Sequence, residues 1–120
     1  LACYANLNVK LAGAYCGLSD AFDGASHHAL EDMATLRALP NMRVLVPCDA
    51  TASGALTELA YQTPGPVYLR LSRDVYPDLY PADQKFELGK GNIVRDGTDV
   101  TVIACGILVH KALAAADALE

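Results

Sequence analysis

The densest concentration of chemistry-bearing side chains lies between positions 15 and 28, where Tyr15, Cys16, Ser19, Asp20, Asp23, Ser26, His27 and His28 share one stretch. A neutral histidine can move a proton near neutrality or donate to a substrate oxygen, and carboxylates accept from hydroxyl groups. The plain alternative is a surface turn at Asp23-Gly24 with a locally bonded histidine beside it. The second candidate is Arg73, in Leu71-Ser72-Arg73-Asp74. A guanidinium matches a phosphate bidentately, and pairing with Asp74 or a neighbouring chain is its plain alternative. Arg70 reads as structural, and His110 as a surface residue. His27 and His28 do not read as a metal pair: neighbours on a helix project about 100° apart, and no third ligand is obvious. There is no glycine-rich phosphate loop, Gly-x-Ser-x-Gly or His-Glu-x-x-His.

The elements that must position these residues alternate in type. Val9 to Tyr15 reads as a strand, followed by a Gly-, Ser- and Asp-rich loop from Gly17 to Ser26. His27 to Leu39 has helical apolar spacing through Leu30, Met33, Ala34 and Leu36, with Ser26 as N-cap and Pro40-Asn41 as its end. Capped there, the helix would turn its free N–H groups toward Ser26, His27 and His28 and favour an anion. Arg43 to Pro47 is a second strand. Asp49 caps a helix over Ala50 to Gln62 with Ala55, Leu56, Leu59 and Ala60 inward, and Val67 to Leu71 is a third strand. Strands alternating with helices predict an α/β fold: a parallel sheet flanked by helices. Ligands of such sheets bind beyond the carboxyl ends of the strands, which is where the 15–28 loop and Arg73 fall.

After Arg73 the character changes. Residues 74–85 hold Pro77, Pro81 and two tyrosines, and read as an extended linker. Residues 86–97 suggest a hairpin-like lead-in to an apolar strand over Val100 to Ala104, then an Ala-rich helix from Ile107. The expected organisation is one domain over 1–73, a linker over 74–85 and the start of a second α/β domain over 86–120. Beginning at Leu1 and ending in uninterrupted helix-forming sequence, the chain reads as a piece of a longer one.

Composition narrows the function classes. With 52% hydrophobic and 19% charged residues, the chain can build a core. Its net charge of −5, with no basic cluster, argues against a nucleic-acid or anionic-membrane surface. Cys3, Cys16, Cys48 and Cys105 form no Cys-x-x-Cys pair, so free thiols are expected, with Cys16 and Cys105 buried, rather than disulfides or zinc. No apolar run reaches membrane-spanning length and no signal peptide is evident, so the expected location is the cytoplasm.

Several ordered motifs then resemble the transketolase family, closest to forms split into two subunits. They are Asp23-Gly24-Ala25-Ser26-His27-His28, Val46-Pro47-Cys48-Asp49-Ala50, Gly65-Pro66-Val67-Tyr68-Leu69-Arg70-Leu71-Ser72-Arg73, and Asp99-Val100-Thr101-Val102-Ile103-Ala104-Cys105-Gly106. The likeness implies the later part of a pyrimidine-binding domain and the start of the C-terminal domain. It also implies transfer of a two-carbon ketol unit between sugar phosphates, with thiamine diphosphate and Mg²⁺. By that resemblance His27 is catalytic, over the reacting carbons, and Asp23 bonds a donor hydroxyl. Arg73 holds the substrate phosphate, with Tyr15 and His28 also facing substrate. The residues that hold the cofactor's aminopyrimidine lie upstream in the family. The diphosphate and metal belong to a partner domain or subunit, in a homodimer or heterotetramer, so this chain alone is expected to be inactive.

The sequence departs from the family pattern at three points: Tyr15 stands where a histidine is usual, Phe22 where Glu is usual, and His28 where Gln is usual. These leave the donor sugar open. Two related enzymes share the architecture, the β subunit of a 2-oxo acid dehydrogenase E1 component and deoxyxylulose-phosphate synthase. A non-catalytic subunit that completes an assembly is the reading from another class.

Overall fold

The computed structural model describes residues 1–120. Three parallel strands form its sheet, β1 (Lys10–Gly13), β2 (Arg43–Leu45) and β3 (Val67–Arg70), in the order β1-β3-β2. Between them run a short 3₁₀ turn (Ala25–His27), α1 (Asp32–Arg37) and α2 (Ala50–Gln62), and α3 (Leu108–Leu119) lies last. The α/β class with a parallel sheet is what the alternating pattern implied.

The central strand explains the layering. Along Val67-Tyr68-Leu69-Arg70, alternate residues face opposite sides of the sheet. Val67 and Leu69 join Leu45, Leu56 and Ala60 in the core beneath α2. Tyr68 and Arg70 face the other way, and both bond the Asp32 carboxylate at the start of α1. Gly13, on β1, lies against the Tyr68 ring, where an added Cβ would collide with it. The register sets Gly13 beside Arg70 and Leu45 beside Leu69, so the carboxyl ends of the strands lie together.

Helix α2 is built as its sequence dictates. Asp49 is the N-cap, its side chain accepting from the Ala52 N–H at 2.6 Å, and Ala52, Leu56 and Ala60 form the buried stripe. The other Asp49 oxygen accepts from the backbone N–H groups of Leu79, at 2.7 Å, and Tyr80. One carboxylate thus caps the helix and ties down the extended segment after residue 74. Phe86 and Leu88 also pack on the α2 core. No helix is long and apolar enough to cross a membrane.

Several sequence expectations need correction. Helix α1 begins at Asp32 rather than His27, because residues 25–30 are committed elsewhere. Ala29 pairs with Cys16 and Gly17 in isolated bridges, and its carbonyl accepts from Arg70. Ser26 is therefore no N-cap; its hydroxyl bonds His27 Nδ1 instead. The converging helix N–H groups expected around His27 and His28 are not there.

Neither the hairpin over 86–97 nor the strand over 100–104 forms. A strand needs a neighbour for its N–H and C=O groups, and residues 100–104 take part in no β-pairing. Val100, Val102 and Ile103 are exposed as a result, and so is Cys105, contrary to expectation. Cys16 is buried as expected, and all four cysteines are free. His110 is not a free surface residue either. It is half-buried, with Nε2 3.0 Å from the Cys48 carbonyl and its ring stacked on Tyr76 at 5.0 Å.

Candidate functional site

The candidate site grows out of the carboxyl end of β1. The Leu71 N–H donates to the Gly13 carbonyl and the Cys16 N–H to the Leu71 carbonyl, so the departing chain stays beside the extension of β3. Between these anchors Tyr15 turns through φ 60°, in the left-handed region that few non-glycine residues occupy. The loop from Cys16 to Ala29 then closes on itself, with the Gly17 N–H donating to the Ala29 carbonyl at 2.8 Å. Loops whose ends meet in this way hold their side chains against one another.

Four of the five residues singled out in the sequence come together here. The Tyr15 and His27 rings meet edge to face, their centroids 5.8 Å apart. The Arg73 guanidinium lies 5.7 Å from the centre of the Tyr15 ring, within range of a cation–π attraction. Arg73 Nη1 donates to the Asp23 carboxylate at 3.2 Å and to the Asp20 carboxylate. His27 is exposed, and Arg73 and Asp23 are each about half exposed, at 50% and 52% of their side chains. The cluster is therefore an open wall.

His28 stands apart from this group. It is half-buried, with its ring nitrogen 3.1 Å from the Asp20 carbonyl, so it braces the loop from within. Arg73 does not pair with Asp74, the simplest surface partner. Its backbone N–H and its side chain both reach back to the loop, at Ser19 and at the two aspartates.

A layer beneath the wall was not legible as part of the site. Arg70 grips Asp32 through Nε at 2.8 Å and Nη2 at 3.1 Å, and Nη2 also donates to the Ala29 carbonyl at the foot of the loop. Tyr68 donates its phenol to the same carboxylate at 2.6 Å. Burial alone would push the Asp32 carboxyl up, but the bonds from Arg70 and Tyr68, with the Arg70 charge, hold it below its usual value. Burial and the bond to Asp32 push the Tyr68 phenol up. The charge of Asp20, with its hydrogen bond, raises Arg73. Beside the cap of α2, burial and then the Asp49 charge push the Cys48 thiol up to about 11, so it stays an inert thiol. The only sequence signal for this layer was the alternation of Tyr68 and Arg70 on one strand face.

Chemically, the wall presents a carboxylate, an imidazole and a guanidinium side by side. That set suits a polyol carrying an anionic group: hydroxyls to Asp23, a proton or an oxyanion contact at His27, a phosphate at Arg73. No group of three or more His, Cys, Asp or Glu residues could hold a metal ion.

Comparison with known proteins gives a consistent result. The family model "Transketolase, pyrimidine binding domain" matches residues 1–78, and "Transketolase, C-terminal domain" matches residues 89–120. The chain is 44% identical over 110 residues to one of the subunits of the apulose-4-phosphate transketolase of Phocaeicola vulgatus, covering 91% of this chain and 35% of that protein. It is 38% identical over 122 residues to human transketolase, covering 100% of this chain and 20% of that one. Among solved structures, a split-gene transketolase described as an inactive beta4 tetramer superimposes with a TM-score of 0.88 at 45% identity. That match covers 98% of this chain and 38% of the other. The chain thus spans well under half the length of each of these relatives.

Proposed function

Because this chain belongs to the transketolase family, we propose that in the complete enzyme it forms the substrate wall for thiamine-diphosphate-dependent transfer of a two-carbon ketol unit between sugar phosphates. The observation that carries this reading is the meeting of Tyr15, Asp23, His27 and Arg73 at one end of the parallel sheet.

The chain's own donor set fits the substrate side of such a site and not its diphosphate side. It has no metal-binding cluster, and the wall is a guanidinium flanked by acids. The family likeness, rather than this absence, is what assigns the diphosphate and Mg²⁺ to a partner domain or subunit. Thiamine diphosphate, when bound, supplies the electron sink for breaking the carbon–carbon bond. This chain does the rest on its side. Arg73 anchors the phosphate end of the donor, and Asp23 accepts from a donor hydroxyl. His27, held at Nδ1 by the Ser26 hydroxyl, offers Nε2 to a substrate oxygen as proton donor or oxyanion partner. Tyr15 stands between His27 and Arg73, so its ring limits the width of the donor.

The relative described as a beta4 tetramer without activity supports a chain that works only with its other half. The test is an assay of the complete gene product with that half, thiamine diphosphate, Mg²⁺ and an aldose phosphate acceptor for the ketol unit, following aldose phosphate release from xylulose phosphate. Cofactor-dependent release that falls at least a hundredfold in His27→Ala and Asp23→Ala supports the reading, on the scale usual for groups acting in a transition state. Unchanged turnover in both variants refutes the residue roles. Release from a 2-oxo acid instead moves the chain to the dehydrogenase side, and failure to bind the cofactor makes it a non-catalytic subunit. The name of the Phocaeicola relative adds apulose 4-phosphate to the donors to be tried.

A further inference from the structure

Asp20 is the one loop residue whose side chain is wholly buried, at 0% exposure. One of its carboxylate oxygens pairs with Arg73 Nη1, and the other, Oδ2, has no hydrogen-bond partner. A buried carboxylate in that state depends on its single cation, because nothing else offsets its lost hydration. Its carbonyl is met by the His28 ring, and the hydroxyl of neighbouring Ser19 accepts from the Arg73 N–H.

The geometry at Arg73 is one-sided. Its guanidinium hydrogen bonds all leave from Nη1, to Asp20 and to Asp23, and Nε and Nη2 make none. A guanidinium held at one nitrogen keeps its opposite edge, Nε with Nη2, as a ready fork for a bidentate anion. The two acids are not equivalent partners. Asp23 is half exposed and can turn away when an anion arrives, whereas Asp20 has no other partner to turn to.

We propose that Asp20 is the positioning residue of this site, fixing Arg73 through Nη1 so that the Nε–Nη2 edge is the one left to receive the donor's phosphate. The proposal rests on the sugar-phosphate reading above. It assigns Arg73 one permanent and one exchangeable carboxylate, so phosphate recognition depends on a residue that never touches the substrate.

The test compares xylulose phosphate with free xylulose as donors in the complete enzyme, with an aldose phosphate acceptor held at a fixed, saturating concentration. Asp20→Leu fills the buried space without an orphaned polar atom and leaves Arg73 free to swing. It is expected to raise KM for xylulose phosphate at least tenfold, with kcat within twofold of the parent and the KM for free xylulose unmoved. Asp20→Asn keeps an acceptor for Nη1 and should leave KM about threefold above the parent, since a neutral acceptor bonds about half as strongly as a charged one. An unchanged KM for xylulose phosphate in Asp20→Leu overturns the proposal, as does an equal change for both donors, which marks a merely structural role. If Asp20→Leu does not fold, Asp20→Asn decides alone: a rise of about threefold for the phosphorylated donor only supports the proposal, and no rise or an equal rise for both overturns it. Arg73→Ala separates the two levels: if it leaves the KM for xylulose phosphate unchanged, the phosphate role of Arg73 itself has failed.

Discussion

Residues 10–71 and residues 86–119 carry similar raw material, apolar strand-like runs followed by helices, and end in different states. In the first region every run finds a neighbour: β1 and β2 both pair with β3, and α2 covers their shared core. In the second, α3 forms but the apolar run over 100–104 stays unpaired and exposed. A helix closes its hydrogen bonds within itself, so twelve residues of Leu108–Leu119 suffice. A strand closes them only across a ladder, and an isolated one has no net reason to form. The second region reaches the first through His110 at Cys48 and through Phe86 with Leu88 on the α2 core, while Asp49 holds the intervening segment at Leu79 and Tyr80 and His110 stacks on its Tyr76.

The contrast can be broken most forcefully at Asp32. Asp32→Ala in the complete protein leaves Arg70 and Tyr68 without their shared acceptor, and is expected to cost about 3 kcal/mol in urea unfolding. The loss should fall on the first region, with α3 affected only as global stability drops. The pH dependence follows from the lowered pKa of this carboxyl. Its contribution is complete above the ordinary value of 3.8 and is lost as pH falls through the lower folded-state value. The parent should therefore lose stability as pH falls below about 4 more steeply than Asp32→Asn, which has no carboxyl to protonate there.

A smaller effect is expected at the joint. Asp49→Ala removes the N-cap of α2 and the acceptor for two linker N–H groups, at a cost of about 2 kcal/mol. Limited proteolysis should then cut within residues 74–85 faster than in the parent; an unchanged rate would mean that Asp49 does not hold the linker. The smallest change belongs to His110→Ala, about 1 kcal/mol, from one hydrogen bond and one ring stack. Amide exchange should quicken in α3 and stay unchanged in α2. Equal quickening in both would erase the distinction between the regions.

What the sequence disclosed tracks how local each cause is. Helix α2 matched its expected bounds and its Asp49 cap, because cap, apolar stripe and Pro-Gly-Pro stop lie in one stretch. The convergence of Tyr15, Asp23, His27 and Arg73 followed from one general rule about carboxyl ends of parallel strands. The start of α1 was missed because the Ala29 carbonyl and the Asp32 carboxylate are both claimed by Arg70, a residue far along the chain that apolar spacing cannot register. The pairing of Asp20 with Arg73 was hidden for the same reason. His110 read as a surface residue because nothing in its own helix announces Tyr76 or the Cys48 carbonyl.

The register of the sheet also imposes an order in time. Lys10 pairs with Val67 and Gly13 with Arg70, so β1 leaves the ribosome long before β3, its partner in this sheet, exists. The loop it carries waits longer still, since its clasp is Arg73, just beyond that partner. Distant pairings of this kind are reached slowly and leave early segments exposed meanwhile. Helix α2 has its own helical hydrogen-bonding residues to hand before β3 is made, and the wall of the site can be completed only once the last of its contributors has been synthesised.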